Sequence, residues 1–243
     1  MAFRAYGKAL QGTKEDAYGY DVWVKRTDKM VINERYKIGK YHEDLGNGMD
    51  YYHVGLTLGA GNIAPYYNDS IVYSGNYQQW KVLDNGPLRT SFELVYSEWK
   101  VGNSSIKQSK IISIDAGSQL SKIENKYTLV SDSIAAVVGI VKRKEKDVIL
   151  LDETNGIIGY WEPTHPKYGT TGVGVIIPNK VENSFEKYDQ LLVNVTVKNN
   201  EPFIYYTGAC WDKQGDFKTA QEWFQYLNNF KKEIDQPLKI SLQ

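Results

Sequence analysis

The stretch QLLVNVTVK, residues 190 to 198, constrains the fold more than any other. Leu191, Val193, Val195 and Val197 recur at every second position, the period of a strand that turns one face to a core. RTSFELVY (89 to 96) repeats the pattern, with Phe92, Leu94 and Tyr96 on one face and Ser91, Glu93 and Val95 on the other. DVWVKR (21 to 26), AAVVGIVKR (135 to 143), TGVGVIIP (171 to 178) and PFIYYTGA (202 to 209) are further runs of this kind, separated by stretches containing Gly, Asn, Asp and Pro. Their apolar faces must meet another sheet, so the spacing predicts an all-β, layered protein.

One segment breaks the period. Near the C-terminus Trp223, Leu227, Phe230 and Ile234 recur at intervals of three and four, and Thr219 with Glu222 forms a capping-box pattern ahead of them. This predicts a single C-terminal helix, stopped by Asp235-Gln236-Pro237, with PLKISLQ returning as a final strand. The chain has 243 residues and no internal repeat, low-complexity segment or Pro- or Ser-rich linker, so residues 1–243 are expected to form one domain.

Charge and cysteine content narrow the function. The chain carries 29 basic and 29 acidic residues with no long basic run, so it lacks the electrostatic footprint of a nucleic-acid-binding protein. Cys210 is the only cysteine, which excludes an internal disulfide and a thiolate metal cluster. No apolar stretch approaches the ~18 residues of a membrane span, and residues 1 to 20 lack the pattern of a signal peptide. Signatures of a nucleophile elbow, a phosphate loop and a zinc helix are absent, GLTLGAGN has no helical pattern after it, and nothing calls for a cofactor or a metal. The 19 tyrosines, each with an apolar face and a polar tip, suit sheet surfaces and sugar recognition alike.

Candidate chemistry gathers in KYHEDLGNGMDYYHVG, residues 40 to 55. Two of the three histidines, His42 and His53, lie there with Glu43, Asp44, Asp50, Tyr51 and Tyr52. Histidine exchanges a proton at working pH, and its clustering with acids and tyrosines marks the rim of an active site. DLGNGMD reads as a turn, with Gly46 and Gly48 taking backbone angles closed to other residues. His165, in EPTHPKYG, reads as a loop residue between prolines.

Five motifs, YHEDLGNGMDYYHVGLTLGAG, VLDNGPLRTSFELVY, SIDAGSQLSKIENKY, GYWEP and FIYYTGACWDKQGDFKTAQEWFQYLNNF, resemble in content and order the bacterial family called domain of unknown function 4861. The resemblance runs from DVWVKR to the C-terminal helix. It implies a large antiparallel β-sandwich, similar to the supersandwich of galactose mutarotases and some polysaccharide lyases. It further implies a periplasmic or secreted protein of polysaccharide degradation, and one similar member is an ulvan oligosaccharide dehydratase. Family members carry further sequence ahead of the FRAYG strand, so this chain reads as a short natural variant or an N-terminally truncated one.

Under that resemblance the expected partner is an oligosaccharide containing uronic acid. Eliminating water or a sugar across C4 and C5 requires a base for the proton beside the carboxylate and neutralisation of the carboxylate itself. His42 and His53 are the candidates for base and acid, Tyr52 can serve the departing oxygen, and Arg89 can grip the carboxylate with two parallel hydrogen bonds. Arg89 fits an ordinary surface ion pair equally well. Lys25 or Arg26, but not both, can face a cleft, since they alternate along their strand. Glu43, Asp50 and Glu162 are expected to contact sugar hydroxyls, and Trp161, Trp211 and Tyr206 to offer stacking faces unless they belong to the core. Glycoside hydrolysis through a pair among Glu43, Asp44, Asp50, Glu162 and Asp216, sugar epimerisation, and non-catalytic sugar binding remain open beside elimination.

Overall fold

The computed structural model describes residues 1–238. Strands dominate and pair antiparallel into three sheets. The largest has nine strands, running from Val148–Asp152 at one edge through Ile157–Trp161, Thr171–Ile176, Pro202–Trp211, Leu120–Thr128, Ser104–Asp115 and Arg89–Tyr96 to Tyr77–Asn85, with Trp99–Val101 paired off this path to Ser104–Asp115. Asn183–Lys187, Gln190–Lys198, Ser133–Val141, Ala60–Tyr67 and Ser70–Ile71 form the five-stranded sheet.

These two sheets enclose the main core. Leu191, Val193, Val195 and Val197 all point into it, as the alternation requires, and meet Ile112, Ile123, Val173 and Val175 of the larger sheet. Each such side chain contributes about 1.5–3 kcal/mol by leaving water. The even members turn outward, and Leu192 packs with Leu58, Ala64 and Val137 on the outer face of the smaller sheet. An antiparallel β-sandwich follows directly. One cation sits inside it: Lys110 is 1% exposed, donates to Asn62 Oδ1 at 2.5 Å, and lies 5.1 and 4.9 Å from the ring centres of Tyr20 and Tyr96. Burial pushes its amine down to about 7.

Ala2–Arg4, Asp21–Lys25 and Gly48–Met49 form the third sheet. Val24 and Met49 pack on Trp211 at the end of its strand, while Val22 reaches the main core. On the opposite face Trp23 stacks against Tyr41, centroids 5.8 Å apart and planes 12° apart, and meets Tyr36 at a tilt of 52°, centroids 5.4 Å apart.

Tyr36 belongs to a short helix, α1 (Ile32–Ile38), that sequence reading does not anticipate. It spans two turns, its N-cap Val31 provides no side-chain hydrogen bond, and its face has no sustained period. It is held instead by tertiary contacts: Arg35, 2% exposed, donates to the carbonyls of Glu43 and Gly48. The expected C-terminal helix is α2 (Ala220–Asp235), with both hydrogen bonds of the Thr219–Glu222 capping box in place. Its Trp223 and Leu227 pack with Trp161 and Ile176 on the outer face of the nine-stranded sheet. The expected return strand over PLKISLQ falls largely outside the described residues.

Candidate functional site

The 40s turn is shaped by its own polar atoms. Asp44 Oδ1 receives the N–H groups of Gly46 at 3.0 Å and Gly48 at 3.4 Å, and Asp50 N–H donates to the carbonyl of Tyr41 at 2.8 Å. Gly48 has φ of 116°, and a Cβ there would lie 2.0 Å from the carbonyl oxygen of Val24. Only glycine lets this turn close on the third sheet.

Closure brings the two histidines to a cavity of about 240 Å³, lined by Arg4, Tyr6, Asp21, His42, Asp50, Tyr52 and His53 among others. His42 Nδ1 lies 2.9 Å from the carbonyl oxygen of Asp50. A carbonyl only accepts, so Nδ1 carries a proton, and in the neutral ring the lone pair is on Nε2. That is the tautomer a general base requires.

Beneath the histidine lies a buried acid pair. Asp21 and Asp50 are 1% and 4% exposed, and Arg4 reaches both, its Nε 3.3 Å from Asp21 and its Nη1 3.9 Å from Asp50. Tyr6 donates to Asp21 Oδ2 at 3.2 Å. Burial, and then the charge of Asp50, raise the Asp21 carboxyl to about 7, against the opposing pull of Arg4. Burial likewise raises Asp50. Tyr52 is 5% exposed, its hydroxyl has no partner among the described residues, and burial holds it far above the usual phenol range.

His53, on the surface, also lines a second cavity of about 430 Å³ with Tyr51, Arg143, Glu162, Thr164 and His165. Arg143 joins the two: Nε donates to Glu162 Oε1 at 2.7 Å, Nη1 donates to the carbonyl of His53 at 2.8 Å, and its guanidinium lies 5.0 Å from the Tyr52 ring centre. Burial raises the Glu162 carboxyl, partly offset by Arg143.

The structure thus brings together His42, Asp50, Tyr52 and His53, and places Glu162 across the His53 ridge. Other expected site residues lie elsewhere. Arg89 does form two parallel hydrogen bonds, at 2.6 and 2.8 Å, but to Asp115 directly across its strand pair, and it lines neither cavity. Lys25 lines a separate cavity with Arg26 and Asp28 that shares no residue with the other two. Glu43 is exposed beside Lys40, 3.9 Å away, because the turn points it outward while its carbonyl is held by Arg35.

Nor do the expected sugar platforms present a face. Trp161 and Tyr206 lie under α2, Trp161 against Trp223 and Tyr206 edge-on to Phe230 at 5.4 Å. Trp211 is wholly buried, donates from Nε1 to the carbonyl of Tyr168 at 2.7 Å, and is covered by Arg26. Strand alternation and the helix explain all three. Conversely, Arg4, Tyr6, Asp21 and Arg143 escape sequence reading. Their signal is faint: Arg4 and Tyr6 share a face in FRAYG, and Asp21 and Arg143 are charges at the ends of apolar runs.

An antiparallel β-sandwich with an ionisable cleft, where a small N-terminal sheet crosses its end, defines the class of this molecule. The chain belongs to the family described as Domain of unknown function (DUF4861), which matches residues 1–240. A relative from Formosa agariphila, called Uncharacterized protein P7, is 30% identical over 262 aligned residues, and the match covers 100% of this chain and 65% of that protein. This chain therefore spans less than two thirds of that relative's length.

Solved structures with a partial likeness include one described as a kojibiose phosphorylase from human microbiome, at a TM-score of 0.46 and 13% identity over 76% of this chain and 31% of that one. The GH36 α-galactosidase AgaA of Geobacillus stearothermophilus follows at 0.34 and 9%, over 69% of this chain and 31% of its own. The chemistry of the cleft rests on its side chains alone.

Proposed function

We propose that this chain is a carbohydrate-active protein that eliminates water or a sugar from an oligosaccharide containing uronic acid, leaving a 4,5-unsaturated uronate. The observation that carries the reading is the His42 tautomer: Nδ1–H is spent on the Asp50 carbonyl, and Nε2 is left as a base on a residue lining the cavity. His42 Nε2 takes the proton beside the substrate carboxylate. A positioned base of this kind supplies about 10²- to 10⁴-fold in rate.

Neutralisation of the carboxylate falls to the group beneath. An Asp21 carboxyl raised to about 7 is partly protonated at neutral pH, and a protonated carboxyl donates a hydrogen bond where an ionised one would repel. Arg4 and Tyr6 support it. His53, exposed on the ridge, gives the leaving oxygen its proton, and the Tyr52 ring forms part of the cavity wall. An exported location goes with this reading, and cell fractionation checks it.

The test is incubation with oligosaccharides of uronic acids. Ultraviolet absorbance of the conjugated product reports elimination of either kind, and a mass loss of one water marks a dehydratase. His42→Ala is expected to lower the rate by at least about 10²-fold while melting like the wild type, and unchanged turnover in that variant removes the reading. The Asp21–Asp50 pair favours a second reading, hydrolysis or epimerisation through carboxyl groups. New reducing ends or an epimer, without ultraviolet absorbance, would select it.

A further inference from the structure

The second cavity is lined by several hydrogen-bond donors, and for His165 the donor nitrogen can be assigned. His165 and Gly169 exchange both backbone hydrogen bonds, each 2.9 Å, closing a tight loop. Gly169 has φ of +82°, and a Cβ there would lie 2.2 Å from Asp212 Oδ1, so this closure is reserved for glycine. Inside the loop His165 Nδ1 receives the N–H groups of Lys167 at 3.2 Å and Tyr168 at 3.1 Å. An amide N–H only donates, so Nδ1 is the bare nitrogen and Nε2 carries the proton. This is the opposite tautomer to that of His42, a donor in place of a base. Stacking on Tyr168, centroids 4.6 Å apart and planes 13° apart, fixes the ring.

Two hydroxyls line the same cavity. Thr164 Oγ1 pairs with Thr170 Oγ1 at 2.8 Å, and the Tyr51 hydroxyl pairs with Thr171 Oγ1 at 2.8 Å. A hydroxyl rotates and serves as donor or acceptor, so each can turn its proton toward a bound acceptor. Arg143 adds a fourth donor, since its Nη2 has no hydrogen-bond partner among the described residues while Nε and Nη1 are occupied. On the acceptor side Glu162 is engaged by Arg143, and Glu145 is exposed at the rim.

We propose that this cavity is a subsite for an oxyanion, a carboxylate or a sulfate ester, carried by a sugar next to the one that reacts. The proposal rests on the reading that the His42 cavity takes a sugar, and His53, which lines both cavities, then stands at the junction between the two rings. Donor groups on Tyr51, Arg143, Thr164 and His165, all lining this one cavity, match the several acceptor lone pairs of an oxyanion and outnumber what a neutral hydroxyl can use.

The test is calorimetric titration of the protein with glucuronate, glucose 6-sulfate and glucose, in the wild type and in His165→Phe and Thr164→Val. The charged sugars are expected to bind more tightly than glucose, and each variant to weaken them by about tenfold with glucose unaffected. Preference between glucuronate and glucose 6-sulfate tells which oxyanion the subsite takes. Equal affinity for charged and neutral sugars overturns the proposal, as does unchanged affinity for both anions in Thr164→Val, the milder variant, should His165→Phe fail to fold. Elimination is read separately: no unsaturated product in the wild type, with the variant effects intact, removes the elimination reading and leaves the subsite standing.

Discussion

Asp21 and Lys110 are single residues whose titration reaches the stability of the whole chain. Burial raises the Asp21 carboxyl from 3.8 to about 7, so its contribution to stability is fully present below pH 3.8 and is lost as pH rises toward about 7. Thermal melts between pH 4 and 8 are expected to show the wild type losing stability relative to Asp21→Asn as pH rises; parallel curves would place the Asp21 carboxyl in its ordinary range. Lys110 runs the other way. Its amine is depressed from 10.5 to about 7, so its contribution is present above pH 10.5 and lost as pH falls toward about 7. In melts above neutral pH the wild type is therefore expected to gain on Lys110→Met as pH rises. Both residues look ordinary in the sequence, Asp21 at the head of DVWVKR and Lys110 between Ser109 and Ile111, because burial is a property of what folds over them.

At the scale of elements, the 40s turn and α1 act as one unit. Arg35 crosses from the helix to the carbonyls of Glu43 and Gly48, and Gly48 pairs with Lys25. Gly48→Ala sets a side chain against the Val24 carbonyl at positive φ and is expected to cost about 1–3 kcal/mol, read as a lower melting temperature. It also displaces Asp50 and with it the His42 hydrogen bond, so turnover should fall further than stability alone explains. The turn was legible from its glycines and Asp44, and α2 from its period and cap. Helix α1 was not, for its two turns owe their form to Arg35 and to the tilted packing of Tyr36 on Trp23. The site divides in the same way. His42, Asp50, Tyr52 and His53 are close in sequence and come together by local turning, whereas Arg4, Asp21 and Arg143 arrive from three different strands or strand ends.

For the whole molecule, one core joins the two large sheets, and Val22 of the third sheet enters it. Heating is therefore expected to give a single transition in which calorimetric and van't Hoff enthalpies agree; a separate early transition would detach the N-terminal sheet from the sandwich. Ile123→Ala, at a position with 0% exposure, should lower stability by about 2–5 kcal/mol and move that one transition as a unit.

By itself the sequence determined the strand faces, the capped C-terminal helix, the glycine turn and the local cluster around His42, since all of these follow from spacing over a few residues. Tertiary structure alone decided that Trp161 and Tyr206 lie beneath α2, that Arg89 is taken by Asp115, and that Arg4, Asp21 and Arg143 close on the histidines. The physical reason is that period specifies which side of a strand a residue occupies, but only the packing of one sheet or helix against another decides whether that side meets a core, a neighbouring charge or a cleft.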